Sequence, residues 1–423
     1  MPADSVVTPT VTHLPGGLAV VTEEIPTAAS ASVGIFVGAG ARDEREGQVG
    51  ASHFLEHLVF KGSAGLSARE VSLAFDAMGG DTNAFTTKEY TAFHARVLGD
   101  DLAAAFAMLA ELVEAPALDE EDLELEREVI ADELALAIED ADELCADELY
   151  EGLFVGHRMA SSIIGSREQI AAMDRETVAG FHAEHYGAGN LVVSVAGAAS
   201  HDQVLELVAA SLGRRQGGRP TRTSPGTDYL PLRITARDAE QTHVFVSFRG
   251  PSRREEGRVA ANLLNQVLGG GMSSRIFQSI REEHGWSYSV GSSFHAYTDT
   301  GLLTAAYATA PEHAEKAMAV VAGELAALAE AGPGDDELSV AKGALRAELL
   351  MAAEDVGWRM ARNARGLLLD GSPRPIGGDL TDLGSATGED VRTMAQSILA
   401  APRTIAAVGP IDDGGAGLLE ALG

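Results

Sequence analysis

The chain has 423 residues, with 63 Asp and Glu against 31 Lys and Arg, a formal charge of −32 and a single cysteine. Its 45% apolar content is enough for sizeable cores, and the length suits two or three soluble domains. This charge excludes nucleic acid and anionic membrane surfaces as partners, one cysteine excludes an intrachain disulfide, and no apolar run is long enough to span a bilayer. The stretch "MPADSVVTPTVTHLPGG" has no basic region, no apolar region and no transit-peptide arginines, so cytoplasmic residence is expected. Arg outnumbers Lys 27 to 4 and Ala is abundant, which points to a bacterial source with a GC-rich genome.

In chain order, the first clear pattern is "SVGIFVGAGARDEREGQVGASHFLEHL" (32–58). An alternating apolar strand breaks at Gly, a charged loop follows, and an amphipathic helix begins. That helix sets His53 and His57 one turn apart on one face, with Glu56 beside them. A strand, a short loop and a helix follow in "TAFHARVLGDDLAAAFAMLAELV" (91–113). The next helix, "DEEDLELEREVIADELALAIED" (119–140), lies in a segment, 111–143, that holds fifteen acids against the single base Arg127. Most of these carboxylates read as a solvated helix face. Glu126 and Glu133 are seven residues apart and share a face, whereas Arg127, Glu128 and Asp132 point elsewhere. Cys145 follows in "ADELCADEL" and reads as a small buried hydrophobe or a thiolate ligand.

The stretch "GRRQGGRPTRTSPGT" (213–227) has no apolar period and reads as a linker. It divides the chain into 1–213 and 228–423, with 214–227 between them. Beyond it the pattern repeats. "HVFVSFRGPSRREEGRVAANLLNQVL" (243–268) parallels 32–58, "GLLTAAYATAPEHAEKAMAVVAGEL" parallels 91–113, and "DELSVAKGALRAEL" parallels "EDLELEREVIADEL". The expected class is α+β: two homologous halves, each a mainly antiparallel sheet covered by helices on one face. The repeat is an internal control. The positions of His53, Glu56 and His57 become Leu263, Gln266 and Val267 in the copy, and Glu126 becomes Ala341. The scaffold prefers apolar residues there, so the polarity of the first copy has a chemical cause.

Two imidazoles at this spacing can chelate one Zn²⁺, which needs a third protein ligand and leaves a position for water. Glu56 is then close enough to take a proton from that water. A histidine pair alone also arises from ordinary packing, but His53-x-x-Glu56-His57 is an inverted zincin motif. The residues themselves leave Glu126, Glu133 and Cys145 open as the third ligand.

On this motif, the acidic helix and the duplication, the chain resembles the pitrilysin/insulinase family of zinc metallopeptidases, in the half-length branch that includes the mitochondrial processing peptidase. The resemblance covers nearly the whole chain. It implies one Zn²⁺ per chain held by His53, His57 and Glu133, which lies 76 residues after His57. It makes Glu56 the general base and puts Glu126 in support of the ligands from outside. "GGGMSSRIFQSIREEHGWSYSVGS" (269–292) resembles the signature of the metal-free half, where Arg281 and Tyr288 match a pair that reaches the substrate. "GDTNAFTTKEYT" (80–91) matches the edge strand that receives a peptide through Thr82, Asn83, Ala84, Phe85 and Thr86. Read without the family, Arg281 is an ordinary surface arginine, Tyr288 a strand residue, and "GGG" a turn after a helix. One departure is "GHRMA" (156–160), where relatives carry Pro and Gly after the His.

The expected function is a zinc endopeptidase acting on oligopeptides or unfolded segments in a closed chamber, as a homodimer. Two alternatives stand beside it: a peptide-binding scaffold subunit without activity, and a metal-dependent lyase that would use Cys145 as ligand.

Overall fold

The computed structural model describes residues 8–212, 217–411 and 414–423. Its strands are β1 (Thr10–His13), β2 (Ala19–Glu24), β3 (Ser30–Val37), β4 (Gly62–Ser63), β5 (Leu66–Ser67), β6 (Asp81–Thr86), β7 (Thr91–Leu98), β8 (Leu191–Gly197), β9 (Leu232–Ala236), β10 (Thr242–Gly250), β11 (Ser289–Ala296), β12 (Gly301–Thr309) and β13 (Arg403–Gly409). The helices are α1 (Ala51–Val59), α2 (Ala68–Met78), α3 (Leu102–Glu114), α4 (Glu120–Glu139), α5 (Ala141–Leu153), α6 (Arg167–Ala172), α7 (Arg175–His185), α8 (His201–Ser211), α9 (Arg258–Leu268), α10 (Ala314–Ala331), α11 (Asp335–Ala352), α12 (Val356–Arg365), α13 (Ile376–Ser385), α14 (Gly388–Leu399) and α15 (Ala416–Leu422).

The chain forms two compact units. The first is built on a six-stranded sheet in the order β1-β2-β8-β3-β7-β6, antiparallel apart from the parallel pair β2–β8. Strand residues alternate between faces as the pleat requires. Val33, Ile35 and Val37 of β3, with Val193 and Val195 of β8, face a layer made by α1, α3, α7 and α8. Phe36, Val192 and Ala196 point to the other face, where they meet Met360 and Ala364 of α12 and the following Leu367, Leu368 and Leu369. The second face is therefore covered as well, by a helix from late in the chain, and the expectation of helices on one face is incomplete. The physical sign is "VGIFV" in β3, apolar in both phases, as in strands buried on both sides. Gly34 allows the close approach of α12, because a Cβ there would lie 2.7 Å from Met360 Sδ. Ser194 Oγ donates to Met360 O at 2.8 Å.

The second unit repeats the topology. Its sheet runs β11-β12-β10-β13-β9, with β9–β13 as the parallel pair. These strands take the places of β6, β7, β3, β8 and β2. Val244, Val246 and Phe248 of β10 pack with α9, α10 and α14. On the opposite face, Leu302, Ala406 and Val408 pack with Cys145, Leu149 and Leu153 of α5.

The units differ from the sequence halves 1–213 and 228–423. The first comprises Met1–Leu134, Ser161–Thr223 and Leu349–Asp379; the second comprises Ala135–Ala160, Ser224–Glu348 and Leu380–Gly423. Each sheet thus takes one covering helix, α12 or α5, from the opposite half of the sequence. Of the expected linker 214–227, residues 214–216 lie outside the described residues. Residues 217–223 belong to the first unit, where Arg222 grips Asp43 with two hydrogen bonds of 2.7 and 2.8 Å.

Candidate metal centre

Helix α1 carries the motif. It starts after Gly50, whose φ of 92° and whose position against Ile164 O, 2.9 Å from where a Cβ would be, both favour glycine. The first turn is capped from a distance. Glu44, buried, accepts hydrogen bonds from the backbone N–H of Gly50 (2.9 Å) and of Ser52 (2.8 Å), and from Ser52 Oγ (2.6 Å). Burial pushes the Glu44 carboxyl up to about 7, against the opposing pull of these hydrogen bonds. Phe54, Leu55 and Leu58 pin α1 to the core. His53, Glu56 and His57 are left on the face that meets α4 and β6.

The structure brings His53, His57 and Glu133 together. Their ligand atoms lie within 4.8 Å of one another, and Glu133 Oε2 is 3.7 Å from the Nε2 of each imidazole. Zinc bonds of about 2.0–2.2 Å place the corners of a tetrahedron roughly 3.3–3.6 Å apart, so Glu133 stands close to that spacing from both imidazoles. The two rings sit edge to face, 4.7 Å between centroids. Burial, and then the neighbouring His57, lower the His53 pKa to about 4. His53 is thus a neutral donor at neutral pH. Its Nδ1 is buried without a hydrogen-bond partner among the described residues.

His57 differs. Its Nδ1 is 2.8 Å from Glu126 Oε2, and because a carboxylate only accepts, the proton sits on Nδ1 and Nε2 keeps its lone pair. Glu126 is 4% exposed. Burial opposes its charge, but hydrogen bonds from Lys61 and His57 hold its carboxyl below the usual range. Glu126 and Glu133, alike in the sequence, therefore face different partners: one a ring N–H, the other two ring lone pairs. Cys145 lies in the second unit, fully buried against its sheet, with burial raising its thiol pKa to about 12. That thiol is a core side chain and does not join the histidines, which removes the ground for the lyase alternative.

Glu56 accepts a hydrogen bond from Thr86 Oγ1 at 2.6 Å. Burial raises its pKa, and the charge of Glu133 adds to this, while the Thr86 hydroxyl and His57 oppose it. A carboxylate raised in this way is a stronger base at neutral pH. Thr86 ends β6, which occupies one edge of its sheet and pairs only with β7, from Thr82↔Ala95 to Thr86↔Thr91. Its outer edge is unpaired by any described strand, an arrangement that accepts an extended peptide. Thr86 itself is directed to Glu56. A cleft of about 480 Å³ opens beside Glu56 and His57, with Phe60, Val71 and Phe75 as apolar wall and Asp76, Asp81 and Asn83 as polar wall.

In the second unit the burial pattern corrects the expected register by one residue: Ala260, Leu263, Leu264, Val267 and Leu268 of α9 take the buried places of Ala51, Phe54, Leu55, Leu58 and Val59 of α1, so Asn262, Asn265 and Gln266, and not Leu263, Gln266 and Val267, stand where His53, Glu56 and His57 stand. Gln266, Val267 and Ala341 line one cavity of about 220 Å³, while Leu263 is fully buried in the core. Arg281 lies in a π-helical turn (Phe277–Glu283) and donates from Nη1 to Tyr288 O at 2.9 Å. Its guanidinium stacks 5.0 Å from the Phe277 ring and 5.5 Å from that of Tyr288. Tyr288 is 83% exposed and immediately precedes β11. Lys61, which touches Glu126, escaped the sequence reading; its signal was a lone positive charge one turn beyond His57 in an otherwise apolar stretch.

Two family models match the chain: "Insulinase (Peptidase family M16)" over residues 19–167 and "Peptidase M16 inactive domain" over residues 172–345. An uncharacterized zinc protease of Mycobacterium tuberculosis is 40% identical, over 97% of this chain and 95% of its own length. One from Bacillus subtilis is 31% identical, over 93% of this chain and 96% of its own. Among solved structures, a peptidase M16 inactive domain from Pseudomonas fluorescens superposes with a TM-score of 0.89 at 20% identity, covering 96% of this chain and 99% of that one. A protease from Helicobacter pylori gives 0.87 at 20% identity, over 96% and 100%. The two structures share the fold, and the sequence matches go further: this chain is a half-length member of the pitrilysin/insulinase family, peptidase family M16.

Proposed function

We propose that the chain is a zinc-dependent endopeptidase acting on oligopeptides or unfolded segments. The observation that carries this reading is the convergence of the His53, His57 and Glu133 donors within 4.8 Å of one another, with Glu133 close to zinc spacing from both imidazoles, beside a buried carboxylate, Glu56, and an unpaired sheet edge. One Zn²⁺ per chain would be held by these three residues; when bound, it supplies Lewis acidity towards a scissile carbonyl and a water. Glu56 takes the proton of the attacking water and delivers it to the leaving amine. The peptide adds to the outer edge of β6 along Thr82–Phe85, so that backbone rather than sequence is read and specificity is loose. Arg281 and Tyr288 give hydrogen bonds to the substrate. The active form is a homodimer in the cytoplasm.

The test is zinc content together with a peptide-library digest, on the wild type and on Glu56→Gln. The wild type should carry one zinc and cleave. Glu56→Gln, nearly isosteric, should keep zinc and fold and lose roughly 10²–10⁴ in turnover. Zinc bound without any cleavage by the wild type would favour a peptide-binding subunit instead, and a Glu56→Gln variant as active as wild type would remove Glu56 as the base.

A further inference from the structure

We propose that Lys61 is a positioning residue for the metal centre, acting through Glu126 to fix the tautomer and orientation of His57; this rests on the zinc reading above. Three contacts form a line. Lys61 Nζ contacts Glu126 Oε1, Glu126 Oε2 takes the His57 Nδ1 proton at 2.8 Å, and His57 Nε2 faces Glu133 Oε2. Glu126 thereby has one oxygen for each partner. Without the ammonium, a carboxylate this buried would have a single donor, and its second oxygen would be free to turn the group away from the ring. A metal-bound imidazole needs its remote N–H held in this way, and losing such a partner weakens metal binding.

The backbone is arranged to bring the lysine back. α1 ends at Val59, and Lys61 N–H closes the following turn on Leu58 O at 3.1 Å. Gly62 then turns with a φ of 128° into β4, and its carbonyl accepts from Ala117 N–H at 3.0 Å, just ahead of α4. The chain carrying Lys61 is thus tied to the segment leading into the helix that carries Glu126. The second unit supplies a control. By the burial pattern of α1 and α9, His57, Glu126 and Lys61 correspond to Gln266, Ala341 and Gly270, so all three members are missing together in the copy that lacks both histidines, although Glu348 stands in the place of Glu133. A lysine kept only to tie one helix to another would have no reason to vanish with them.

Zinc affinity of the full-length protein, by chelator competition with zinc alone, separates positioning from stability when read beside the melting temperature of the metal-free form. Lys61→Met keeps the stem and removes the charge. It should weaken zinc binding about 10–100-fold, as loss of an outer partner does, and should lower the metal-free melting temperature modestly because Glu126 is left with one donor; Lys61→Arg should restore most of the affinity. On a Glu126→Gln background Lys61→Met should add little, since the two act in series. Lys61→Met binding zinc like the wild type, or lowering only the melting temperature, would overturn the proposal and leave the metal centre intact. Glu133→Gln binding zinc as tightly as the wild type would overturn both.

Discussion

The two units use one topology for opposite purposes at the same place. In the first, α1 presents His53, Glu56 and His57 and α4 presents Glu126 and Glu133. In the second, α9 presents Asn262, Asn265 and Gln266 and α11 presents Ala341 and Glu348 at the equivalent places. Asn262, Asn265 and Gln266 are half-buried, whereas His53, 8% exposed, has a ring nitrogen with no partner among the described residues. The helix position itself accepts neutral amides that find hydrogen bonds, Asn262 Nδ2 to Arg258 O at 2.9 Å and Ser292 Oγ to Asn265 Oδ1 at 2.8 Å; what sets the first unit apart there is titratable groups and not polarity as such. Groups whose burial works against them, such as the raised Glu56 and the lowered His53, cluster where function demands them.

The largest effect that bears on this comparison comes from cutting the chain. If the sequence halves were independent, residues 1–215 and 228–423 would each fold. The sheets exchange covering helices, so residues 1–215 lack α12 and the segment after it, and Phe36, Val192 and Ala196 lose Met360, Leu367, Leu368 and Leu369. Burial of four such side chains is worth about 1.5–3 kcal/mol each, roughly 6–12 kcal/mol in all, which matches the whole stability of a typical domain. Residues 1–215 should therefore show no cooperative thermal unfolding and should bind a dye specific for exposed apolar surface. A sharp melt near that of the full chain would show that the exchanged helix contributes little.

A smaller effect compares the two helices directly, by exchanging their residues in the metal-free protein. Asn262→His puts the imidazole at the equivalent, half-buried place of the second unit and should cost less than about 1 kcal/mol. His53→Leu removes a buried imidazole whose Nδ1 has no partner among the described residues and should leave the melting temperature equal or higher, while abolishing zinc binding. The same variant has a pH signature. The His53 pKa falls from 6.5 to about 4 in the folded state, from burial first and then from His57. The unfolded chain therefore takes up this proton first. The contribution is fully present above pH 6.5 and is lost as the pH falls towards 4, on the order of 1 kcal/mol per pH unit. Wild type minus His53→Leu, followed by denaturant titration between those limits, should show that slope; equal slopes would mean that His53 is not held neutral.

Much of this was legible in the sequence, for identifiable reasons. The i, i+4 histidines and the seven-residue spacing of Glu126 and Glu133 follow from helix geometry alone, whereas the duplication reads one residue out of register in α9, because the insertion between the strand and the helix leaves no mark in the apolar pattern. The choice of Glu133 over Glu126 was not legible from spacing, because both face α1. It depends on which ring atom each carboxylate meets, and that follows from how α4 lies against α1. The exchange of α5 and α12 was hidden for a similar reason: long-range pairing leaves a mark only in the partner surface, here the apolar outer phase of β3. Lys61 lies past the end of its helix, where the periodicity that placed its neighbours no longer applies. Thr86 read as a strand residue for substrate, and only its hydrogen bond to Glu56 showed its other partner.

The smallest expected effect on stability accompanies the test of what the second unit adds to catalysis. Tyr288 is 83% exposed, and its described contacts are its own carbonyl with Arg281 Nη1 and its ring with the same guanidinium. Its hydroxyl has no described intramolecular partner, so Tyr288→Phe should change stability by no more than about 0.5 kcal/mol. The ring, and with it the stack on Arg281, is retained. If the hydroxyl gives a hydrogen bond to the substrate in the transition state, the same change should lower kcat/KM by more than about tenfold, near 1.4 kcal/mol, with zinc content unchanged. Arg281→Ala should do likewise and should also free the Tyr288 carbonyl, so its effect should be the larger of the two. Unchanged kcat/KM in Tyr288→Phe would reduce the second unit to a scaffold: a copy without the two histidines that took on no role at the reacting bond.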